Sequence, residues 1–550
     1  MSSLQHLLAR LRRLSPPAWD LFAIMVFAAA LLPRSFMEVA AKIGYEMHVV
    51  SFLIGPASYA FGDGLVPGRD YFTQYSLGMP FLFSWVLDGN ADHAVLSYVK
   101  LMVFAMLLFY CGLYFLLRWL YGSRAWALIT SVTILILQFH VERTFFDPSS
   151  YVLRYPLLVI VLALLGAWAK KFESFYQAFL LSGSLALSLF LNTETGLYLC
   201  IAVSTVGFFL TGGSPKQIGV LVGMLIGSLA VYAALCRVTF GPGVFSSEFV
   251  EGWFEPFLIY GGGFGGWAID WVWGWHLFYN ILAPGIALTT AAWGAHRLWT
   301  GQPAEGSRPL IAVLVASGLT GILMSAKYSN MSIVALWHVN AIGFFIVMGW
   351  WGRQIQLAGQ NKIISLGPVS VRAASATGAV AVLLAIMLLA SANDQRNPAL
   401  YAFNAWLRYP SLANPLASRY APACKRLDCA APRLHPVDVR LIQTYVAAGK
   451  RAAVFGWNDW AYLIEAQRAS WFHFLPSQAT FTRHQLDAVR KLPPIMFLPV
   501  KKDDGNALIG HPELNEVIEP HLLRDYKIVV TGQDLAVWRK STDDGTPVSK

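Results

Sequence analysis

Apolar residues in this chain come in long unbroken runs, and the runs have the length of a bilayer crossing. A helix needs about 17–25 predominantly apolar residues to cross the hydrocarbon core. Runs of that kind fall at 18–36, 96–118, 124–140, 151–169, 175–191, 195–212, 217–238, 275–297, 309–326, 332–351 and 373–392. They predict about eleven transmembrane helices. The stretch 76–87 is apolar but short, which predicts a re-entrant or interfacial piece.

Beyond residue 393 the pattern changes. Residues 436–449 have helical periodicity, 452–456 reads as a strand and 458–468 as a helix. Another strand follows at 494–500, and 526–531 with 535–539 reads as a hairpin turning at Gly532. The tail from Ser541 has the composition of a disordered segment. The expected fold class is a polytopic α-helical membrane protein, residues 1–393, followed by a C-terminal extracytoplasmic α/β domain, residues 394–550.

Composition sharpens this division. The 550 residues are 56% hydrophobic and 13% charged, with a mean hydropathy of +0.51. Residues 394–550 hold 35 of the 72 charged side chains, roughly the density of a soluble domain. The net charge of +10 suggests a nucleic-acid binder only until the charges are located. With the N-terminus inside, the inner loops carry 13 of the 21 basic residues before 394, as the positive-inside rule requires. An odd number of spans then places the C-terminal domain outside, provided that the first span is an uncleaved anchor and not a signal peptide. The topology implied is a cytoplasmic N-terminus and a C-terminal domain outside the membrane. Acidic residues show the converse pattern, since only Asp20, Glu173 and Glu305 fall inside. Carboxylates contribute little to topology, so the acidic outer face suggests chemistry or recognition there.

Few motifs compete for attention. Cys111, Cys200 and Cys236 sit in apolar runs, where packing explains them. Cys424 and Cys429 lie in the outer domain, where an oxidising compartment suits a short structural disulfide. No Cys/His set has zinc spacing, and no phosphate-binding or dinucleotide glycine fingerprint appears. The glycine run from Tyr260 to Trp267 lacks a strand-to-helix context and reads as a loop. Aromatic residues crowd the outer segment 239–274, as an interfacial belt or a lid over a site would.

The first outer loop is the most informative. Lys42-Ile-Gly-Tyr45-Glu46-Met47-His48 opens an amphipathic stretch suited to the membrane surface. Gly64-Leu-Val-Pro67-Gly68-Arg69-Asp70-Tyr71-Phe72-Thr-Gln74-Tyr75 follows, a turn leading into a polar and aromatic segment. The second outer loop, with Glu142, Arg143 and Asp147, is short yet polar. Asn192-Thr-Glu194-Thr-Gly196 puts a carboxylate between two helices, where it can position a substrate; the same residues are ordinary capping chemistry. His338 lies near the outer end of the tenth span, where it can position a substrate or hydrogen-bond a neighbouring helix.

A cytoplasmic N-terminus, an acidic residue soon after the first span and a Gly-x-x-Pro-x-Arg-Asp-Tyr-x-x-Gln segment resemble the GT-C superfamily. Within it, the chain is most similar to the lipid A aminoarabinose transferases and the protein O-mannosyltransferases. The likeness covers the general plan, and its motifs are local, at Glu46 and from Pro67 to Tyr75. Glu46 stands alone where that family often carries an acidic pair. The resemblance implies an integral-membrane glycosyltransferase of a bacterial-type inner membrane, with its C-terminal domain periplasmic, using a polyprenyl-phosphate-linked sugar on the outer face, with a glycan, lipid or protein as acceptor.

The chemistry can be reasoned independently. A lipid phosphate is a good leaving group, so the enzyme needs a carboxylate to take the acceptor hydroxyl's proton. It also needs cations for the charge that develops on the departing phosphate. Attack from the opposite face inverts the anomeric carbon. Glu46 is the candidate base, with Asp70 second. Arg69, Arg143, Arg154 and Lys327 are candidate phosphate ligands, and His48, Gln74, Tyr75, Glu142, Asp147, Glu194 and His338 candidate positioning groups. Arg154 and Lys327 fall at outer ends of apolar runs. A charge there costs about 2.5–3.5 kcal/mol on insertion scales, so each should have a partner, face a cavity or snorkel to the interface. No cofactor motif is present, although the outer carboxylates are numerous enough to hold a divalent metal. Two other classes compete, although the sequence shows no convincing internal repeat and its ionisable residues lie at outer ends rather than mid-span. A transporter or flippase would show repeats and midplane charges, and an O-antigen ligase or polymerase would share the substrate and the outer face.

Overall fold

The computed structural model describes residues 15–32, 53, 77–87, 91–138, 150–247, 249–250, 281–301, 307–328, 337–359, 363–366, 369–372, 434–455, 459–472, 489–500 and 512–541. Its helices in chain order are α1 (Pro16–Leu31), α2 (Gly78–Leu87), α3 (Ala91–Tyr121), α4 (Arg124–Gln138), α5 (Tyr151–Arg154), α6 (Leu158–Lys170), α7 (Phe175–Leu191), α8 (Thr193–Thr211), α9 (Pro215–Phe240), α10 (Ala283–Trp299), α11 (Arg308–Tyr328) and α12 (Trp337–Gly359). A described helix lies over each apolar run from 18–36 to 332–351, and the run 373–392 lies outside the described residues. Among the described residues, Leu96–Tyr121, Thr193–Thr211, Pro215–Phe240 and Arg308–Ser325 are long and apolar enough to cross a membrane unaided. Pro16–Leu31, Arg124–Leu135, Leu158–Lys170 and Phe175–Leu191 are apolar but shorter. α2, at 10 residues, rises only about 15 Å, too little to span. Its first residue, Gly78, lies so close to Phe190 that a Cβ there would meet the Phe190 ring and carbonyl.

Very short connections force the helices to alternate in direction. α3 turns into α4 through Gly122, at φ +59°, and Ser123, and α7 turns into α8 through Asn192 alone. α6 lies beside α3 in the same direction, since Gly112 faces Val159 and Gly166 faces Trp119. α10 and α11 run antiparallel, with Gly318 against the Ala287 carbonyl and Gly294 against Val315 and Ile311. Gly349 and Gly352 bring the second half of α12 against Tyr121, Thr130 and Trp126. The arrangement gathers Arg118, Arg124, Lys170, Lys171, Lys216, Arg297, Arg308 and Arg353 at one end of the bundle. Arg154 and Glu194 lie at the other.

Glycine sets how closely some of these helices approach. A Cβ on Gly343 would strike the Ser317 carbonyl oxygen and the backbone of Gly321, and backbone cannot give way as a side-chain tip can. Gly343→Ala is therefore expected to push α11 and α12 apart and to cost about 1–3 kcal/mol, read as a lower thermal unfolding midpoint in detergent.

A two-stranded hairpin of β1 (Ile363–Leu366) and β2 (Val369–Arg372) follows α12. The later residues form α13 (Pro436–Tyr445), β3 (Arg451–Val454), α14 (Asp459–Glu465), β4 (Ala469–Ser470), β5 (Ile495–Pro499), α15 (Pro512–Asp525), β6 (Tyr526–Thr531) and β7 (Leu535–Lys540). The sheet order is β4-β3-β5-β7-β6. β4, β3 and β5 pair in parallel, and β7 pairs antiparallel with β5 and β6.

Both faces of this sheet are covered, and the period of two in its strands shows how. Ala453, Phe455, Met496, Leu498, Ala536 and Trp538 pack with Ile518 and Leu522 of α15. The alternate residues Ala452, Val454, Phe497 and Val537 pack with Ile442 of α13 and Tyr462 and Leu463 of α14. Asp438, fully buried on α13, accepts the backbone N–H groups of Gln533 (2.9 Å), Asp534 (3.0 Å) and Leu535 (3.3 Å), which ties the β6–β7 turn to the helix. A Cβ at Gly532 would collide with that carboxylate, so the turn needs glycine. Tyr462 donates to Asp534 at 3.2 Å, and burial with the Asp534 and Asp438 charges raises its hydroxyl pKa.

Candidate functional site

The sequence predicts one continuous span over 151–169, whereas the chain forms α5 and α6 with a break between them. Pro156 is the cause. Proline has no N–H to donate, and its ring disfavours the helical region for the residue before it, Tyr155. The Leu153 and Arg154 amides bond back to Ser150 O at 3.1 and 2.8 Å, and Leu158 N restarts the helix on Tyr155 O at 3.2 Å. This leaves the Leu153 and Arg154 carbonyls without their usual partners one turn on, and a buried carbonyl must be satisfied elsewhere.

The α7–α8 corner satisfies both. Asn192 Nδ2 donates to Leu153 O at 3.1 Å, and Thr195 Oγ1 donates to Arg154 O. Asn192 also caps α8 by accepting the Thr195 amide on Oδ1 at 3.2 Å. The capping chemistry expected around Glu194 is thus performed by Asn192. Glu194 lies inside α8, in its first turn, rather than in a turn between helices.

That clasp sets Arg154 and Glu194 face to face. Arg154 Nη1 donates to Glu194 Oε2 at 3.1 Å, with the two side chains 9% and 13% exposed. The first turn of a helix favours a carboxylate, and the guanidinium supplies the opposite charge. Tyr198, one turn further along α8, lies within electrostatic reach of the Glu194 carboxylate. Of the alternatives for Arg154, snorkelling is excluded by its burial and a partner is what it has.

The remaining candidates divide clearly. Lys327, next to the last residue of α11, and His338, second in α12, lie on helix ends directed to the same end of the bundle as Arg154 and Glu194. Glu46, His48, Arg69, Asp70, Gln74, Tyr75, Glu142, Arg143, Asp147, Cys424 and Cys429 lie outside the described residues. Among the described residues, no group of three or more His, Cys, Asp or Glu side chains is placed to hold a metal ion. Reading the sequence missed Asn192 and Thr195 as backbone clasps. Pro156 inside an apolar run was the available signal, because it announces carbonyls in need of donors.

Thr195 is buried, so replacing its hydroxyl by a methyl strands the Arg154 carbonyl. Thr195→Val is expected to cost about 1–3 kcal/mol, and Thr195→Ser, which keeps the donor, much less. Thermal unfolding of the two variants in one detergent checks the difference.

No family model matches the sequence, and no curated protein matches it. Among solved structures, the chain is similar to the crystal structure of ArnT from Cupriavidus metallidurans in the apo state, with a TM-score of 0.42 and 12% identity over 96% of this chain and 98% of that one.

Proposed function

We propose that this chain is an integral-membrane glycosyltransferase that moves a sugar from a polyprenyl-phosphate donor to an acceptor hydroxyl on a glycan, lipid or protein. The basic end of the bundle faces the cytoplasm, and the reaction takes place at the opposite, periplasmic end. The acceptor oxygen attacks the anomeric carbon, the bond from that carbon to the phosphate oxygen breaks, and the configuration inverts. Glu46, or Asp70 in second place, takes the acceptor's proton. Arg154 faces the departing phosphate, with Arg69, Arg143 and Lys327 as further cations.

The observation that carries this reading is the Arg154–Glu194 pair. A charged pair at 3.1 Å, set in an apolar bundle at the end away from the basic loops, is expensive to keep unless it serves a site. The acidic and aromatic segments at Glu46 and from Pro67 to Tyr75 supply the second support, through their resemblance to the GT-C superfamily.

The test is transfer by the purified full chain, in detergent, from a panel of synthetic polyprenyl-phosphate sugars with differing head groups. At least one donor is expected to be consumed, with release of polyprenyl phosphate and inversion at the anomeric carbon. No turnover of any donor would overturn the reading in favour of transport.

A further inference from the structure

At the basic end of the bundle, one carboxylate holds two guanidinium groups. Asp20 of α1 accepts from Arg118 at the end of α3 on Oδ2 and from Arg124 Nε at the start of α4 on Oδ1, the latter at 3.3 Å. Tyr114 donates to Oδ1 at 2.8 Å. The tight turn at Gly122 and Ser123 brings the two arginines to the same edge. Their side chains are 35% and 32% exposed and that of Asp20 is 18% exposed.

Topology explains basic residues at this end whether or not anything fixes their positions. It does not explain Asp20, which lowers the positive charge of this end and contributes little to insertion. The effect of Asp20 is to orient two forks. Each arginine spends one nitrogen on the carboxylate, and the rest of its donor edge has no partner among the described residues. The cluster keeps a net charge of +1, with two planar donor groups side by side, which is the arrangement that grips a phosphate bidentately. Leu21 follows Asp20 on α1, and Phe115 and Trp119 lie within one turn of Arg118 on α3, all three exposed and apolar; Phe115 lies under the Arg118 guanidinium at 5.8 Å.

We propose that Asp20, Arg118 and Arg124 form a binding site for the phosphate of an anionic phospholipid headgroup. The guanidinium edges take the phosphate oxygens, and the flanking apolar side chains take the acyl chains. The carboxylate acts as a positioning group that never touches the ligand.

The experiment is a titration of the full chain in detergent with phosphatidylglycerol, phosphatidylcholine or inorganic phosphate, read as the shift in thermal unfolding midpoint. Phosphatidylglycerol is expected to raise the midpoint saturably, and phosphatidylcholine is not. Inorganic phosphate acting at the same concentrations as phosphatidylglycerol would overturn the lipid assignment. Arg118→Gln and Arg124→Gln are each expected to raise the half-saturating concentration about tenfold, and unchanged values would sink the site. Arg118→Lys and Arg124→Lys keep the charge but lose the fork; they are expected to weaken binding too, and they cover neutral variants that do not fold. Asp20→Asn is the decisive variant, because it makes the end more positive. A built site predicts weaker binding in it, whereas diffuse attraction of charge predicts tighter binding and would overturn the proposal.

Discussion

Arg154→Gln is expected to lose stability and transfer together, and adding Glu194→Gln is expected to restore the stability alone. In the single variant Glu194 stays in its apolar setting without the cation at 3.1 Å. Removing one member of a buried pair costs about 3–5 kcal/mol, most of it the penalty of the charge left behind. The double variant replaces the pair by two amides that hydrogen-bond each other at little desolvation cost. The clasp that positions this corner is untouched, because Asn192 and Thr195 bond to main-chain carbonyls and not to the Arg154 side chain. Transfer should behave differently. In the proposed reaction, losing the Arg154 cation compares with losing an oxyanion donor, about 10²–10³ in kcat, and two neutral amides cannot replace it. Thermal unfolding and donor turnover on both variants separate the effects. A double variant that is both stable and fully active would make Arg154 a structural residue and move the phosphate role to Arg69, Arg143 or Lys327.

Short-range patterns in the sequence translated well into elements. The strand expected at 494–500 is β5, the hairpin through Gly532 is β6–β7, and the apolar run 175–191 is α7. Each follows from a period of two, a turn glycine or an uninterrupted apolar length, all readable within about twenty residues. α15 escaped because Pro520 lies inside it and weakens its local helix signal. Its formation is explained by Ile518 and Leu522, fully buried against the sheet, a tertiary effect that local pattern cannot report. The site shows the same limit. That Arg154 wanted a partner was legible from the cost of its position. That the partner is Glu194, 40 residues away, depends on the break at Pro156 and on which corner packs against it. Asp20 gives a third case, since its reach to Arg118 and Arg124 spans about a hundred residues and its role appears only once three helices are assembled.

Glu46→Gln is expected to lower kcat for transfer by about 10²–10⁴, the usual contribution of general base catalysis, while leaving the KM for the donor nearly unchanged. The substitution preserves shape and hydrogen-bonding capacity and removes only the basic oxygen, so a loss of rate cannot be assigned to a cavity. In the proposed reaction the base acts on the acceptor and not on the leaving group, which gives the prediction a second, sharper form. An alkyl hydroxyl releases its proton reluctantly and needs the carboxylate most; a phenolic acceptor is already acidic and needs it least. The deficit of the Glu46→Gln enzyme should therefore shrink on phenolic acceptors, while changes to the donor lipid should leave the deficit unaltered. Asp70→Asn serves as the comparison. If Asp70→Asn shows the larger loss and the acceptor dependence, and Glu46→Gln retains transfer, the base is Asp70. Arg154→Gln should show the opposite sensitivity, since a cation on the leaving phosphate is indifferent to how acidic the acceptor is. The crossed pattern, acceptor-sensitive at residue 46 and acceptor-insensitive at residue 154, is what distinguishes two catalytic roles from two residues that merely hold the bundle together.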